Sequence, residues 1–268
     1  MPADTDIRQP ALFVSHGSPL VALDDDAYTQ ALAAWSAARP VPAAIVVVSA
    51  HWEEGLPVRA TASERPALIY DFGGFPPKLY QLLYPCPGAP ALAEELVERL
   101  RGADVPAQIE PARGLDHGVW VPLHILYRKA SIPVVELSLP TGPGAPARLG
   151  EIGRALAPLR ERGVLLMGSG GTVHNLRRLN WVQKYGPVDA WAAEFDRWVR
   201  ERVGALDAAG LARYRTEAPQ AALAMPTSEH FDPLFFTIGA ALPGDRVVDV
   251  FEGFQHGNLS MRCFALEG

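Results

Sequence analysis

A single-domain α/β fold, with a mainly parallel or mixed central sheet flanked by helices over residues 1–268, is the architecture this sequence predicts. Three observations predict it. Short apolar runs rich in Val, Ile and Leu recur along the chain and alternate with segments whose apolar residues return every three or four positions. At 268 residues, 49% of them hydrophobic and 20% charged, the chain can bury one large core. Its 24 Gly and 25 Pro are spread through the junctions between these runs, and no internal repeat is visible.

The elements follow in order. Residues Ala11 to Ser15 form a β-type run that stops at His16-Gly17-Ser18-Pro19, where Gly and Pro mark a turn. A helix over Asp25 to Ala38 ends before Arg39-Pro40. Ala44 to Ala50 is too uniformly apolar and β-branched for an edge, so it reads as a central parallel strand ending at His51-Trp52. Residues 70–87, YDFGGFPPKLYQLLYPCP, predict a long shaped loop, because aromatics, paired glycines and prolines leave little room for regular structure. A helix over Ala89 to Arg101 and a Pro-flanked stretch lead to Gly114-Leu115-Asp116-His117-Gly118. A short helix at Val121 to Lys129 precedes a buried strand from Ile132 to Leu139. The helix at Ala147 to Arg162 closes on Gly163, which suits a C-terminal cap. Strand Val164 to Met167 runs into a glycine-rich turn over 168–175. A long helix from Val188 to Leu206 carries Trp191, Phe195, Trp198 and Val199 on one face, as a core-facing stripe. Another helix spans His230 to Leu242, and two strand-like runs, Arg246 to Phe251 and Leu259 to Leu266, close the chain, with antiparallel attachment open to them.

Charge narrows the function. A net charge of −6 leaves no basic cluster beyond Arg177-Arg178, which argues against a nucleic-acid partner. Cys86 and Cys263 lie far apart without CxxC spacing, the pattern of reduced thiols in a cytosolic protein. MPADTDIRQP has neither the basic start nor the apolar stretch of a signal peptide, and no apolar run approaches the ~20 residues of a membrane span. A soluble, cytoplasmic protein without membrane partners is the expectation.

Histidine placement points to chemistry. Four of the seven, His16, His51, His174 and His230, stand where an apolar run or a Pro-marked loop gives way to the next element. Such folds put their sites at the carboxyl ends of strands, and imidazole is the commonest ligand of transition metals. His16 and His51 would lie side by side if their strands are neighbours, and could then meet one divalent ion at ~2.0–2.1 Å. His174 follows GSGGTVHN, which lacks the Lys-Ser/Thr ending of a phosphate loop and the spacing of a dinucleotide fingerprint. The small residues there would let the backbone approach a ligand, leaving ligation or acid/base work open to His174. His230, beside Glu229, reads equally as a ligand or as the start of a helix capped by Thr227 or Ser228. His117, next to Asp116, reads as a turn residue or a loop-borne acid/base. His124 reads as packed and His256 as a hairpin turn. Asp71 and Asp116 are candidate carboxylates, though Asp is common in turns. Neither SHGSP nor GSGG is the nucleophile elbow of an α/β-hydrolase.

Taken in order, SHGSPL, SAHWE, YDFGGFPPKLYQLLYP, LDHGVWVPL, PVVELSL, GSGGTVHNLRRL and PTSEHFDPLFFTIGAA resemble the class III extradiol ring-cleaving dioxygenases over nearly the whole chain. The nearest branch by resemblance is the DOPA 4,5-dioxygenase type, related to the protocatechuate-cleaving enzymes. The distinctive loop motif of the plant pigment enzymes is absent. The resemblance implies a non-haem Fe(II) enzyme that adds both atoms of O₂ to a catechol beside its hydroxyls. It makes His16, His51 and His230 metal ligands, His230 at the place where distant relatives use a carboxylate and with Glu229 beside it. His174 becomes a fourth metal neighbour or an acid/base, and His117 a further active-site histidine. Three protein ligands leave positions for catechol and for O₂, whose triplet ground state reacts poorly with singlet organics. Catechol must lose protons, and a neutral histidine with pKa near 6.5 can accept one; His174 is the first candidate and His117 the second. The loop from Tyr70 to Tyr84 would wall the flat ring, with Tyr70, Asp71, Phe72 and Gly73 binding the substrate. Imidazole also suits Zn(II), so zinc is a second metal that could be found bound, and a zinc hydrolase or a non-catalytic metal-binding scaffold are the alternative readings.

Overall fold

The computed structural model describes residues 8–268, so residues 1–7 of the N-terminal stretch read above for a targeting signal lie outside the described residues. The chain opens with β1 (Ala11–Ser15), α1 (Ala27–Ala37) and β2 (Ala44–Glu54), then β3 (Val58–Thr61), α2 (Pro90–Gly102), β4 (Ala107–Glu110), α3 (His117–Leu126) and β5 (Val134–Pro140). It continues through α4 (Ala145–Leu156), β6 (Val164–Gly170) and α5 (Ala190–Gly204). Three short helices come next, α6 (Ala208–Ala212), α7 (Tyr214–Glu217) and α8 (Ala221–Ala224), and then α9 (Pro233–Gly239). The chain closes with β7 (Arg246–Phe251), the small hairpin β8 (Phe254–Gln255) and β9 (Leu259–Ser260), and β10 (Cys263–Glu267).

Eight strands form one sheet in the order β4-β3-β5-β2-β6-β1-β10-β7. Its centre is parallel, with β2 between β5 and β6 and β6 paired to β1; β10 and β7 extend it antiparallel. The β-branched run of β2 explains the central position. Val46 and Val48 face a core built with α2, α4, α5 and α9, while Ile45 and Val47 face a second core built with α1 and α3. A strand buried on both faces needs no polar alternation, and its sequence shows none.

Several boundaries differ from expectation, each for a physical reason. β2 runs on through His51 and Trp52 to Glu54, because Glu53 and Glu54 resume pairing with Leu139 and Pro140 after a register slip. β3 and β4, four residues each, with β4 at the edge of the sheet and β3 beside it, were not signalled by the apolar pattern. α3 begins at His117, four residues before Val121, with Asp116 at its N-cap, and stops at Leu126. Pro158, which has no N–H to donate, ends α4 at Leu156; a 3₁₀ turn over Ala157–Arg162 carries the chain to Gly163, whose φ of 80° closes it as expected. The last helix starts at Pro233, with Asp232 at its cap, so His230 precedes it and neither Thr227 nor Ser228 caps it. Leu259 to Leu266 is divided into β9 and β10.

Candidate active site

β1 and β2, whose ends carry His16 and His51, are not neighbours: β6 lies between them. That interposed strand ends in Gly168-Ser169-Gly170, and its small residues do a different job from the one its composition suggests. A Cβ on Gly170 would sit 2.0 Å from the His230 carbonyl oxygen, and one on Gly168 2.3 Å from that of Pro233. The glycines thus admit the 230–233 backbone, not a ligand, and the Gly171 N–H holds it by donating to the His230 carbonyl at 2.7 Å. Three of the eight residues of the expected glycine-rich turn, Gly168 to Gly170, are strand, and their small size lets His230 reach the carboxyl edge of the sheet. From the other side comes His117, the first residue of α3, beside Gly118, where an added Cβ would lie 2.4 Å from Ser49 Oγ.

Five imidazoles meet there. The Nε2 atoms of His16 and His51 are 3.1 Å apart. Ring centres are separated by 5.0 Å for His16 and His51, 5.3 Å for His16 and His230, and 5.0 Å for His51 and His230. Rings bound to one ion through nitrogens at ~2.0–2.1 Å have nitrogens roughly 2.9–3.4 Å and centres roughly 4.5–5.2 Å apart, so the His16–His51 pair matches a shared ion and His230 completes a near-equilateral triangle at the outer end of that range. The other two rings sit differently. His117 leans over His51 with centres 3.9 Å apart, and its ligand-capable nitrogen joins those of His16 and His51 within 4.8 Å. His174 lies flat on His230, 3.5 Å away and only 10° from parallel. Stacked face to face, the two rings would not both present an in-plane nitrogen to one ion.

Outward-facing partners orient these rings. Ser169 Oγ donates to the Gly118 carbonyl, so it accepts from His16 Nδ1 at 2.9 Å and leaves Nε2 of His16 with a free lone pair. Glu229 Oε1 takes the Nδ1 proton of His230 at 3.0 Å and is held by Thr227. One carboxylate, Asp71, serves two rings, with Oδ2 2.9 Å from His117 Nδ1 and 3.4 Å from His51 Nδ1, while Oδ1 accepts the His117 backbone N–H. Burial lowers the basicity of the cluster: it drives His16 and His230 well below 6.5, and takes His51 and His174 to about 4. Mutual repulsion among the imidazoles adds to this. Burial works against ionisation of Asp71, but its bonds with His117 outweigh that and keep its carboxyl below the usual range. The site therefore presents neutral nitrogens, the form a metal binds.

A cavity of about 210 Å³ opens over the cluster. His16, His51, His117, His174 and His230 all line it, as do Asp71 and Phe72. Tyr70 and Gly73 do not. Tyr70 packs beside Trp120 and donates to the Leu82 carbonyl at 2.6 Å, and Gly73 is exposed. Asp116 is also elsewhere: it is buried beneath α3, accepting from Ser49 Oγ at 2.7 Å, next to Glu136, whose carboxyl burial pushes far up. Phe75, from the aromatic loop expected to wall the ring, lines the cavity with Phe72, whereas sequence reasoning missed Leu176, Leu179 and Trp181 on the outer wall. A signal for these existed, since Leu176, Leu179 and Trp181 are large apolar residues inside an otherwise polar loop. His124 is half-buried in α3, and His256 forms the tip of the β8–β9 hairpin, as expected.

Comparison with known proteins agrees with this geometry. Residues 10–257 match the family model described as the catalytic LigB subunit of aromatic ring-opening dioxygenase. The chain is 42% identical over 259 residues to a protein of Escherichia coli strain K12 named 4,5-DOPA dioxygenase extradiol, covering 95% of this chain and 93% of that one. A protein of the same name from Portulaca grandiflora is 38% identical over 260 residues, covering 95% of this chain and 94% of its own. A crystal structure of an uncharacterized Escherichia coli K12 protein superimposes with a TM-score of 0.80 at 36% identity, covering 97% of this chain and all of that one.

Proposed function

Because the chain belongs to the LigB family of aromatic ring-opening dioxygenases, we propose that residues 1–268 act as one catalytic unit, an extradiol enzyme that opens a catechol ring with O₂ and uses Fe(II). The observation that carries this reading is the triangle of His16, His51 and His230, with ring centres 5.0–5.3 Å apart. We assign those three as the residues that hold the metal. Fe(II) is the functional ion, and Zn(II), which imidazole also suits, is one that purification can leave in place. When bound, a redox-active ion supplies open coordination positions and a path for electrons between the ring and triplet O₂.

The remaining chemistry belongs to side chains. His174, neutral above about pH 4, accepts a catechol hydroxyl proton at its ring nitrogen. Its flat stack on His230 favours this acid/base role over ligation. His117, whose Nδ1 lies 2.9 Å from Asp71 Oδ2, lines the cavity as a second proton-transfer group. Phe72 and Phe75 exclude water from one face of the ring. Both cysteines are buried and unpaired, which suits action in the cytoplasm. Among the described residues, no helix is long and apolar enough to cross a membrane.

Anaerobic reconstitution with Fe(II), followed by an oxygen-electrode assay on a panel of catechols, tests the proposal. Oxygen uptake together with a yellow ring-fission product is the expected result. Iron-loaded protein that consumes no oxygen with any catechol, or zinc-loaded protein that hydrolyses esters or amides without oxygen, would overturn it.

A further inference from the structure

Among the described residues, no lysine or arginine lines the cavity above the imidazoles. Two of the cations carried by nearby segments, Arg113 and Lys184, are committed elsewhere. Arg113 stacks on Trp52, 4.5 Å from its ring centre, and pairs with Asp116 at 3.3 Å. Lys184 is bound by Asp24 and Asp26. Arg177 and Arg178 point to solvent from the 3₁₀ turn Leu176–Arg178, although Leu176 of the same turn lines the cavity. The charge that the cavity does contain is negative, on Asp71. Its outer wall is Leu176, Leu179, Trp181, Phe72 and Phe75. Leu176 and Trp181 are 53% and 54% exposed. Large apolar side chains left open at the rim of a functional cavity are surface that a ligand can cover.

Resting on the dioxygenase reading, we propose that the catechol this site selects carries a short, uncharged, apolar substituent, and that substituents bearing a carboxylate are selected against. A volume of about 210 Å³ is small against the ~300–1,000 Å³ of pockets for drug-sized ligands, so one ring and a short chain fill it. The hydroxyl end of the ring lies over the histidines, which leaves the substituent against the Leu176–Trp181 wall. A carboxylate against that wall gives up water and gains no lysine or arginine partner from the lining, whose one hydroxyl is that of Ser18, beside His16. Asp71 adds like-charge repulsion. The relatives named for DOPA mark the contrast, since the DOPA side chain ends in a carboxylate and an ammonium.

Binding and turnover of matched catechols decide the matter. Iron-loaded protein is titrated anaerobically by calorimetry with 4-propylcatechol, with 3-(3,4-dihydroxyphenyl)propanoate, which adds a carboxylate to the same chain, and with DOPA; kcat/KM is then measured by oxygen uptake. The propyl compound is expected to bind about tenfold tighter or better than either acid, with kcat/KM higher by a similar factor. Leu179→Arg, which puts a cation on the outer wall, is expected to shift that ratio about tenfold toward the propanoate. Wild-type protein that binds and turns over either acid as well as the propyl compound overturns the proposal, whether or not the Leu179→Arg protein folds. Failure to bind or consume oxygen with all three overturns the dioxygenase reading itself and this proposal with it, a result distinct from inverted selectivity.

Discussion

Arg160 and His16 are both buried polar side chains at opposite ends of the same sheet, one just before β6 and the other just after β1, and their surroundings are built in opposite ways. Every N–H of the Arg160 guanidinium points at an oxygen. Nε donates to the Gln9 carbonyl at 2.9 Å, Nη1 to the Ala240 carbonyl at 2.7 Å and to Asp245 at 2.6 Å, and Nη2 to Asp245 at 3.1 Å and to the Leu266 carbonyl at 2.8 Å. His16 is satisfied only on its outer side, by Ser169, while its inner nitrogen faces that of His51 at 3.1 Å. A closed set of partners marks a structural cluster, whereas neutral lone pairs facing one another mark a place made for a cation.

The contrast can be broken most directly by substitution at both ends. His230→Ala should lower kcat for ring cleavage by roughly three orders of magnitude or more and leave the unfolding midpoint of the metal-free protein nearly unchanged. Arg160→Met should do the reverse, costing about 3 kcal/mol of stability in denaturant titrations, because buried Asp245 keeps only Arg8 as its cation and the Gln9, Ala240 and Leu266 carbonyls lose their donor. The folded fraction should keep its activity. Equal losses of stability in the two variants would erase the distinction.

Metal addition sharpens it further. Ions at one hundred times Kd should stabilise wild-type protein by about 2.7 kcal/mol, seen as a rise in Tm that EDTA reverses, and should do nothing for His51→Ala. A similar rise in both proteins would mean that the ion binds elsewhere. A smaller effect is expected one layer out: Asp71→Asn, which removes the carboxylate shared by His51 and His117, should cost about 10–100-fold in kcat/KM with iron still bound. Full activity in that variant would show that neither ring depends on it.

The mildest effect concerns pH. His51 and His174 have folded-state pKa values near 4 against an ordinary 6.5, so the unfolded chain binds more protons than the folded one between these values. Their contribution to stability is complete above about pH 6.5 and is lost as pH falls toward 4. Urea midpoints of metal-free protein should therefore decline across that window, and decline less in the His51→Gln, His174→Gln double variant. Arg160 stays charged throughout and adds no slope there. An identical slope in the double variant would remove these two imidazoles as its source.

How far the sequence could be read follows from the same physics. β1, β2, β5 and β6 were legible because burial on both faces leaves an unbroken apolar run. β3 and β4 were not, since four-residue strands at or next to an edge, held by pairing with distant chain, leave almost no local pattern. The candidate histidines were legible as residues that follow such runs. Their arrangement was not, because nothing local says that β6 separates β1 from β2, or that Gly168 and Gly170 are small in order to admit the backbone of residues 230–233. The outer wall went unread for a similar reason: Leu179 and Trp181 follow an irregular turn, and only the folded chain turns them toward Phe72.

The central claim is that three imidazoles from distant stretches of chain hold one ion. Anaerobic Fe(II) titration followed by metal analysis tests it most directly, performed on wild-type protein and on the His16→Ala, His51→Ala and His230→Ala variants. The account predicts one ion per wild-type chain and a near-complete loss in each of the three folded variants. Undiminished iron content in any one of them would contradict it.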